Sequence, residues 1–345
     1  MGLSSSPPPM TTLYLTEPGT VVRLQNQSLL IQRQGRQQHQ RLAELTLVVV
    51  LPGVQLTHGA LAALLDGGTE TLFLTQSGQF RGRLQGAFPS NPGLRLAQYQ
   101  TVDTHFGLAL AQRWVRGKVQ NQRCLLQRRH RATQGRLAEL GEAIDSLAAQ
   151  GLALADRETA RDRDQLMGLE GACARCYYQG LRHWFEPVWR FQGRNRRPPL
   201  DPINALLSWG YGVLLARVFS ATVQAGLDPY LGFLHALEPY RPNLALDLME
   251  EFRPVVVDQA VIAVVQASLI SPADFEPSPE GAGIWVGPVG KKLFLAELER
   301  QLRQPLLYPP QGRRLTVAQI ILEQARWVGR CLVARQLDYE PFTLR

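Results

Sequence analysis

Lysine is almost missing from this chain: of 37 basic residues only Lys118, Lys291 and Lys292 are lysines, and the other 34 are arginines. Cysteine is scarce as well, with Cys124, Cys173, Cys176 and Cys331 scattered through 345 residues. Thiols so placed make no disulfide framework, and the one CxxC, Cys173 to Cys176, has no second pair at zinc-finger distance. It reads as small-residue packing rather than a metal or redox site. Long apolar runs are absent too. The longest, LTLVVVLPGV at 45–54, is broken by Pro52 and is too short to span a bilayer. HExxH, GxxxxGK[ST] and GxSxG do not occur, so zinc-protease, P-loop and α/β-hydrolase chemistry have no support. The opening MGLSSSPPPMTT lacks a basic region followed by an apolar stretch. It is expected to be a disordered lead over 1–10, with Met10 an alternative start and the cytoplasm the expected compartment.

What is present is a foldable, basic chain. Hydrophobic residues make up 45% and charged residues 19%, and the net charge is +8. Sizeable cores are expected and global disorder is not. Arginine grips phosphate oxygens in bidentate fashion and stays charged at any working pH. A polyanionic partner follows, nucleic acid before anionic membrane. The competing explanation is compositional, a GC-rich genome raising Arg at the expense of Lys.

The pattern of hydrophobic spacing divides the chain. Residues 11–90 read as β-rich, with LYLTE, TVVRLQ, SLLIQR, LTLVVVL, ETLFL and FRGRLQG as short strands between PG, NQ, GG and SG turns. One helix, HGALAALLDGG from His58, interrupts them. Residues 91–345 carry apolar residues at helical spacing in long segments beginning near 94, 136, 165, 204, 247 and 316. Stretches 156–164, 191–202 and 271–283 read as loops. The expected fold class is α+β: a small N-terminal β-rich domain followed by a larger, mostly α-helical one.

Two segments draw attention as candidate sites. In GFLHALEPYRPNLALDLMEEFRP, His235 is followed by Asp247, Glu250 and Glu251. On a helix starting near Leu244 these acids share one arc, which by itself describes a solvated face. In MGLEGACARCYYQGL, Glu170 stands between Gly168 and Gly171 on an otherwise apolar helix. A carboxylate buried there must be paired, hydrogen-bonded or metal-bound; an ion pair with Arg175 or Arg182 competes with a metal role. One histidine with two or three carboxylates suits Mg²⁺ or Mn²⁺, the imidazole tilting the choice toward Mn²⁺. His183 has no spacing that ties it to such a site. Trp209 and Tyr211, on NALLSWGYG, are expected in the core.

Five motifs in order, QYQ at 98–100, RGKVQNQRCLLQR from 116, GLEGACARCYY from 168, RNRRPPLDPINALLSWGYGVLLARVFSATVQAGLDPYLGFLH from 194 and DLMEEFRPVVVD from 247, give the helical portion its character. Together they resemble the CRISPR-associated adaptation integrase family (Cas one). The resemblance implies a metal-dependent DNA endonuclease and integrase that inserts spacer DNA into CRISPR arrays. It places the Mg²⁺ or Mn²⁺ ligands on Glu170, His235 and Glu250, with Asp247 a further catalytic acid at the same site. It implies a homodimer through the β-rich domain and a small ferredoxin-like partner (Cas two). Double-stranded DNA, both spacer fragment and repeat, would be the substrate. Arg194, Arg196, Arg197, Lys291 and Lys292 are the candidate backbone contacts, against a role in solubility alone. A stand-alone nuclease on branched repair intermediates and a non-catalytic DNA-binding scaffold are the alternative readings.

Overall fold

The structure, a computed structural model, describes residues 11–86, 91–154, 162–195, 198–235, 240–278, 281 and 283–344. The expected lead at 1–10, and Arg196 and Arg197 among the candidate DNA contacts, lie outside the described residues. The chain divides into two units, Met1–Pro89 and Ser90–Arg345.

The first unit holds two four-stranded sheets and one helix. Its strands are β1 (Thr11–Leu15), β2 (Val21–Gln25), β3 (Ser28–Arg33), β4 (Arg36–Arg41), β5 (Leu45–Val50) and β6 (Gln55–Leu56). Helix α1 (His58–Asp66) follows, then β7 (Glu70–Leu74) and β8 (Phe80–Leu84). One sheet has the order β4-β3-β2-β6, the other β1-β5-β7-β8. Two-residue turns with positive φ build the hairpins: Asn26 (48°) and Gln27 (60°) join β2 to β3, and Gln34 (47°) and Gly35 (77°) join β3 to β4. Strand β4, RQQHQR, has no apolar alternation, so the sequence reading does not find it. It is an exposed edge strand, held by pairing with β3 rather than by burial. The core gathers Leu15, Val22, Leu29, Val48, Val50 and Leu64.

The second unit is mainly helical: α2 (Pro92–Thr101), α3 (His105–Ala132), α4 (Ala138–Ala153), α5 (Arg163–Leu181), α6 (Pro202–Gln224), α7 (Asn243–Met249) and α8 (Gln259–Gln266). The hairpin β9 (Phe275–Pro277) and β10 (Ile284–Val286) leads into α9 (Pro288–Arg303). A second hairpin, β11 (Pro305–Tyr308) with β12 (Arg313–Thr316), leads into α10 (Val317–Ala334). The sequence reading assigns no helix to 288–303; α9 is the addition. Side-chain caps start several helices: Thr104 on α3, Asp162 on α5 and Asp201 on α6 each accept from a backbone N–H three residues on.

Helix α6 is long and apolar enough to pass for a membrane span, but its apolar window is 94% buried inside the protein. It is the central core helix, with Trp209 and Tyr211 both buried as expected. A Cβ at Gly210 would lie 2.6 Å from Val257 Cγ1 and 3.1 Å from Phe294 Cε1. Only glycine allows so close an approach of the 253–258 segment and α9.

That segment is not plain α-helix. After α7 the chain tightens into a 3-10 turn at Glu250–Phe252, then widens into a π-helix at Arg253–Asp258 before α8. Pro254, which has no N–H to donate, sits at the change of pitch.

Glu70 on β7 supplies a stability test for the first unit. Its Oε1 is buried without a hydrogen-bond partner among the described residues, and Arg83 stands 3.9 Å away. Burial pushes its carboxyl from 4.5 up to about 7, against the pull of Arg83. A raised carboxyl stabilises the fold while protonated, and that contribution is lost as pH rises from 4.5 through 7. Glu70→Gln is therefore expected to stabilise the protein at pH 8, by about 1–3 kcal/mol, and to match the wild type near pH 4. Urea denaturation at the two pH values checks this.

Candidate functional site

Helices α3 and α5, α7 and the turn after it bring together residues far apart in sequence. Lys118 projects from α3 with only 4% of its surface exposed. Its ammonium donates to Glu170 Oε1, from α5, and stands 2.5 Å from Glu250 Oε2. Glu250 is nearly fully buried, and Glu170 keeps 21% of its side chain exposed. On the far side Arg253 donates from Nη1 to Glu250 Oε1 at 2.6 Å. The Arg253 guanidinium lies 4.0 Å over the Tyr211 ring, a cation–π contact that helps offset its burial.

The electrostatics follow from this arrangement. Burial alone would raise the Glu250 carboxyl, but Arg253, Lys118 and His235 outweigh it and hold it well below the usual range. Burial disfavours the Lys118 ammonium, yet Glu250 and Glu170 hold its pKa above the ordinary lysine value. Behind them, Tyr211 and Tyr177 each donate to the buried Asp258 carboxylate at 2.6 Å, and Tyr178 meets Tyr211 at 3.0 Å between hydroxyl oxygens.

His235 is placed by Asp247, whose side chain has no exposed surface. Asp247 Oδ2 accepts from the backbone N–H of Phe233 (2.6 Å) and Leu234 (2.8 Å), and Oδ1 from His235 N at 2.9 Å. The His235 ring meets Oδ1 through Nδ1 at 2.7 Å. That hydrogen bond assigns the proton to Nδ1 and leaves Nε2 as the nitrogen able to bind a metal or take a proton. A Cβ at Gly232 would sit 2.7 Å from Asp247 Oδ2, so the glycine keeps the carboxylate's approach open. His235 also lines a cleft of about 700 Å³, with Arg163, His105, Asp103 and Met167 on its walls.

Glu251 faces another way. It accepts from Tyr339 (2.6 Å), the Phe342 N–H (2.8 Å) and Gln324 (3.2 Å). Burial pushes its carboxyl up to about 8 against those bonds. Asn121, one turn beyond Lys118 on α3, donates to the carbonyls of Glu251 and Phe342 at 2.8 Å each and accepts from Leu344 N at 2.7 Å. Residues 339–344 thus strap α3 against the acidic turn.

Several expectations change. The acidic arc at 247–251 is not a solvated face: Asp247, Glu250 and Glu251 are all buried, each with its own partners. Glu170 pairs with Lys118 rather than with Arg175 or Arg182, and Arg182 pairs instead with Glu139. Asp247 spends both oxygens on the 233–235 backbone and on His235, so it positions the histidine rather than offering a free ligand. Arg194 is half-buried and engaged within the protein. Its guanidinium donates to Asn204 Oδ1 (2.7 Å) and Ser208 Oγ (3.0 Å) and lies over Tyr211. Lys291 is buried, with its pKa lowered by burial to about 8, which removes it from the surface as well. Lys292 is exposed. Cys173 is buried and its thiol pushed up to about 12, chiefly by burial and then by Glu170, in keeping with a packing role. Sequence reasoning passed over Lys118 and Arg253. The signal for Lys118 was its rarity and its place on a helix face of buried residues.

Among the described residues no three His, Cys, Asp or Glu side chains are gathered as a ready metal cluster. Glu170 and Glu250 do converge, on one cation, the Lys118 ammonium. Glu250 Oε2 is buried with the Lys118 ammonium 2.5 Å away, an oxygen that already faces a cation. Carboxylates with one imidazole nitrogen are the donors a hard divalent ion takes. Glu170, Glu250 and His235 therefore fit Mg²⁺ or Mn²⁺.

Comparison with known proteins finds similar chains. The model of the family "CRISPR associated protein Cas1" matches residues 13–300. A "CRISPR-associated endonuclease Cas1 1" of Thermus thermophilus is 38% identical over 96% of this chain and 99% of its own length. Among solved structures, a casposase bound to an integration product aligns with a TM-score of 0.81 at 21% identity, covering 96% of this chain and 93% of that one. A chain of a Cas6-RT-Cas1–Cas2 complex aligns at 0.83 and 24% identity, covering 97% of this chain and 36% of that one. The structural likenesses establish the fold.

Asp247→Asn tests the positioning of His235. Burial lowers the imidazole pKa, but the Asp247 hydrogen bond and the charges of Asp247 and Glu250 raise it overall. A raised histidine stabilises the fold fully below its unfolded value of 6.5, and the contribution is lost as pH climbs through the raised folded value. The substitution is expected to cost about 1–3 kcal/mol, more at pH 6 than at pH 9, and to lower the His235 pKa in metal-free NMR titration.

Proposed function

The chain belongs to the CRISPR-associated Cas1 family, and from that premise we propose that it is a metal-dependent DNA endonuclease and integrase joining spacer DNA to a CRISPR repeat. The observation that carries the proposal is the convergence of Glu170 and Glu250 on a single buried cation, beside a histidine oriented by Asp247. A buried carboxylate held ionised against its burial, as Glu250 is, suits phosphodiester chemistry, where positive charge must be delivered to a phosphate.

In this reading Glu170, Glu250 and His235 Nε2 hold the metal. A bound Mg²⁺ or Mn²⁺ supplies Lewis-acid charge to the scissile phosphate. The chain's own groups do the rest. Asp247 keeps Nε2 of His235 free, and Arg253 keeps Glu250 ionised and fixed in direction. The cleft beside His235 admits the DNA end, with Arg163 on its wall. In strand transfer the 3′-oxygen of the incoming fragment bonds to phosphorus as the repeat's own P–O3′ bond breaks. The attacking hydroxyl loses its proton and the departing 3′-oxygen gains one, so one phosphodiester replaces another and no nucleotide cofactor is consumed. Water in place of the 3′-hydroxyl gives cleavage.

Solved relatives that include a complex with Cas2 and a complex with DNA support two of the partners proposed for this chain, DNA and a Cas2-type subunit; double-stranded substrate and a second copy of the chain, joined through the β-rich unit, complete the proposal. Exposed Lys292 remains a candidate backbone contact. The place of action is the cytoplasm, where a chromosomal array is reached.

The direct test is joining of a labelled duplex with free 3′-hydroxyls into a repeat-bearing plasmid, with Mn²⁺ or Mg²⁺ and the Cas2-type partner. Glu170→Ala, His235→Ala and Glu250→Ala are each expected to reduce joined product on the order of 100-fold or more while duplex binding persists. Undiminished product in all three would move the active centre elsewhere.

A further inference from the structure

Lys118 occupies the space between the two carboxylates expected to take the metal. Its ammonium reaches both Glu170 Oε1 and Glu250 Oε2, and its stem is buried within α3's packing. Two carboxylates, Lys118 and Arg253 make a cluster with no net charge. Adding two further positive charges to so buried a place is unfavourable unless a cation leaves or an anion arrives. Arg253 is fixed, bonded to Glu250 Oε1 and stacked on Tyr211. Lys118 is a point charge on a flexible four-carbon stem, so it is the cation able to yield.

We propose that Lys118 is a built-in occupant of the divalent-metal site: its ammonium holds Glu170 and Glu250 together in the metal-free protein and is displaced from between them when the ion binds. The inference rests on the metal-dependent reading above. It has a consequence for order. A DNA phosphate supplies the anion that balances the displaced ammonium, so metal and DNA bind each other's complexes more tightly than the free protein.

The test is Mn²⁺ binding to DNA-free protein, followed by electron paramagnetic resonance, for wild type, K118M, K118Q, K118R and E170Q. K118M and K118Q are expected to bind Mn²⁺ about tenfold or more tightly than wild type, and to melt lower without metal but recover on adding it. K118R, which keeps the charge, is expected to stay near the wild-type affinity. Equal or weaker Mn²⁺ binding by K118M and K118Q, with wild-type binding lost in E170Q, would overturn the displacement and leave the metal centre standing. No Mn²⁺ binding by wild type or any variant would overturn both. A measurement on the wild type covers the case in which the variants do not fold. The chain has three lysines, so the Lys118 ammonium signal is readily separated by NMR. It is expected to move on titration with Mg²⁺; an unmoved signal while Mg²⁺ raises the melting temperature would contradict the proposal.

Discussion

A single buried ammonium, that of Lys118, holds two carboxylates from distant parts of the chain, and the helical unit is arranged around that contact. Glu170 comes from α5, Glu250 from the turn after α7, and Lys118 from the middle of α3. Each charge alone carries a desolvation cost of several kcal/mol, and only mutual pairing with further hydrogen bonds offsets it. Removing one member leaves the others uncompensated, so the cluster demands that three helical elements keep fixed positions. The surrounding structure meets that demand. Arg253 braces Glu250 from one side, and the Tyr211–Asp258–Tyr177 network braces Arg253. Residues 339–344 lock α3 to Glu251 from the other, where a Cβ at Gly117, next to Lys118, would meet Pro341 at 2.5 Å.

Three acidic residues within five positions divide the work. Asp247 binds the 233–235 backbone and aims His235; Glu250 faces the cation; Glu251 anchors the C-terminal strap. A regular α-helix spreads such neighbours over a broad arc. Here the passage from α-helix through a 3-10 turn into a π-helix at Arg253–Asp258 changes their directions, with Pro254 at the change. Adjacent carboxylates thereby differ in chemistry. Glu250 is held ionised by Arg253 and Lys118 despite its burial, while burial dominates at Glu251 and raises it.

Much of this was legible in residue pattern, and the failures share a cause. The division into a β-rich and a helical part followed from period-two runs giving way to helical spacing after 94. Strand β4 was hidden because an exposed edge strand needs no apolar alternation. The candidate site residues come from ordered motifs around Glu170, His235 and Glu250, and not from spacing, since an acidic helix face reads as solvated unless its tertiary neighbours are known. Lys118 could not be joined to Glu170 or Glu250 by any local rule: 52 residues separate it from Glu170. Arg194 and Lys291 read as surface groups for the same reason, and the structure finds them half-buried and buried. A basic side chain in a loop or at a helix start looks like a surface group until Asn204, Ser208 and Tyr211, or a covering core, are in view.

The most direct test of the central claim is an anomalous-scattering map from crystals of the wild-type protein grown with Mn²⁺. The account places the manganese peak among the carboxylates of Glu170 and Glu250 and the Nε2 of His235, with Arg253 still bonded to Glu250. A peak bound only elsewhere, with the Lys118 ammonium still bridging both carboxylates, would contradict it.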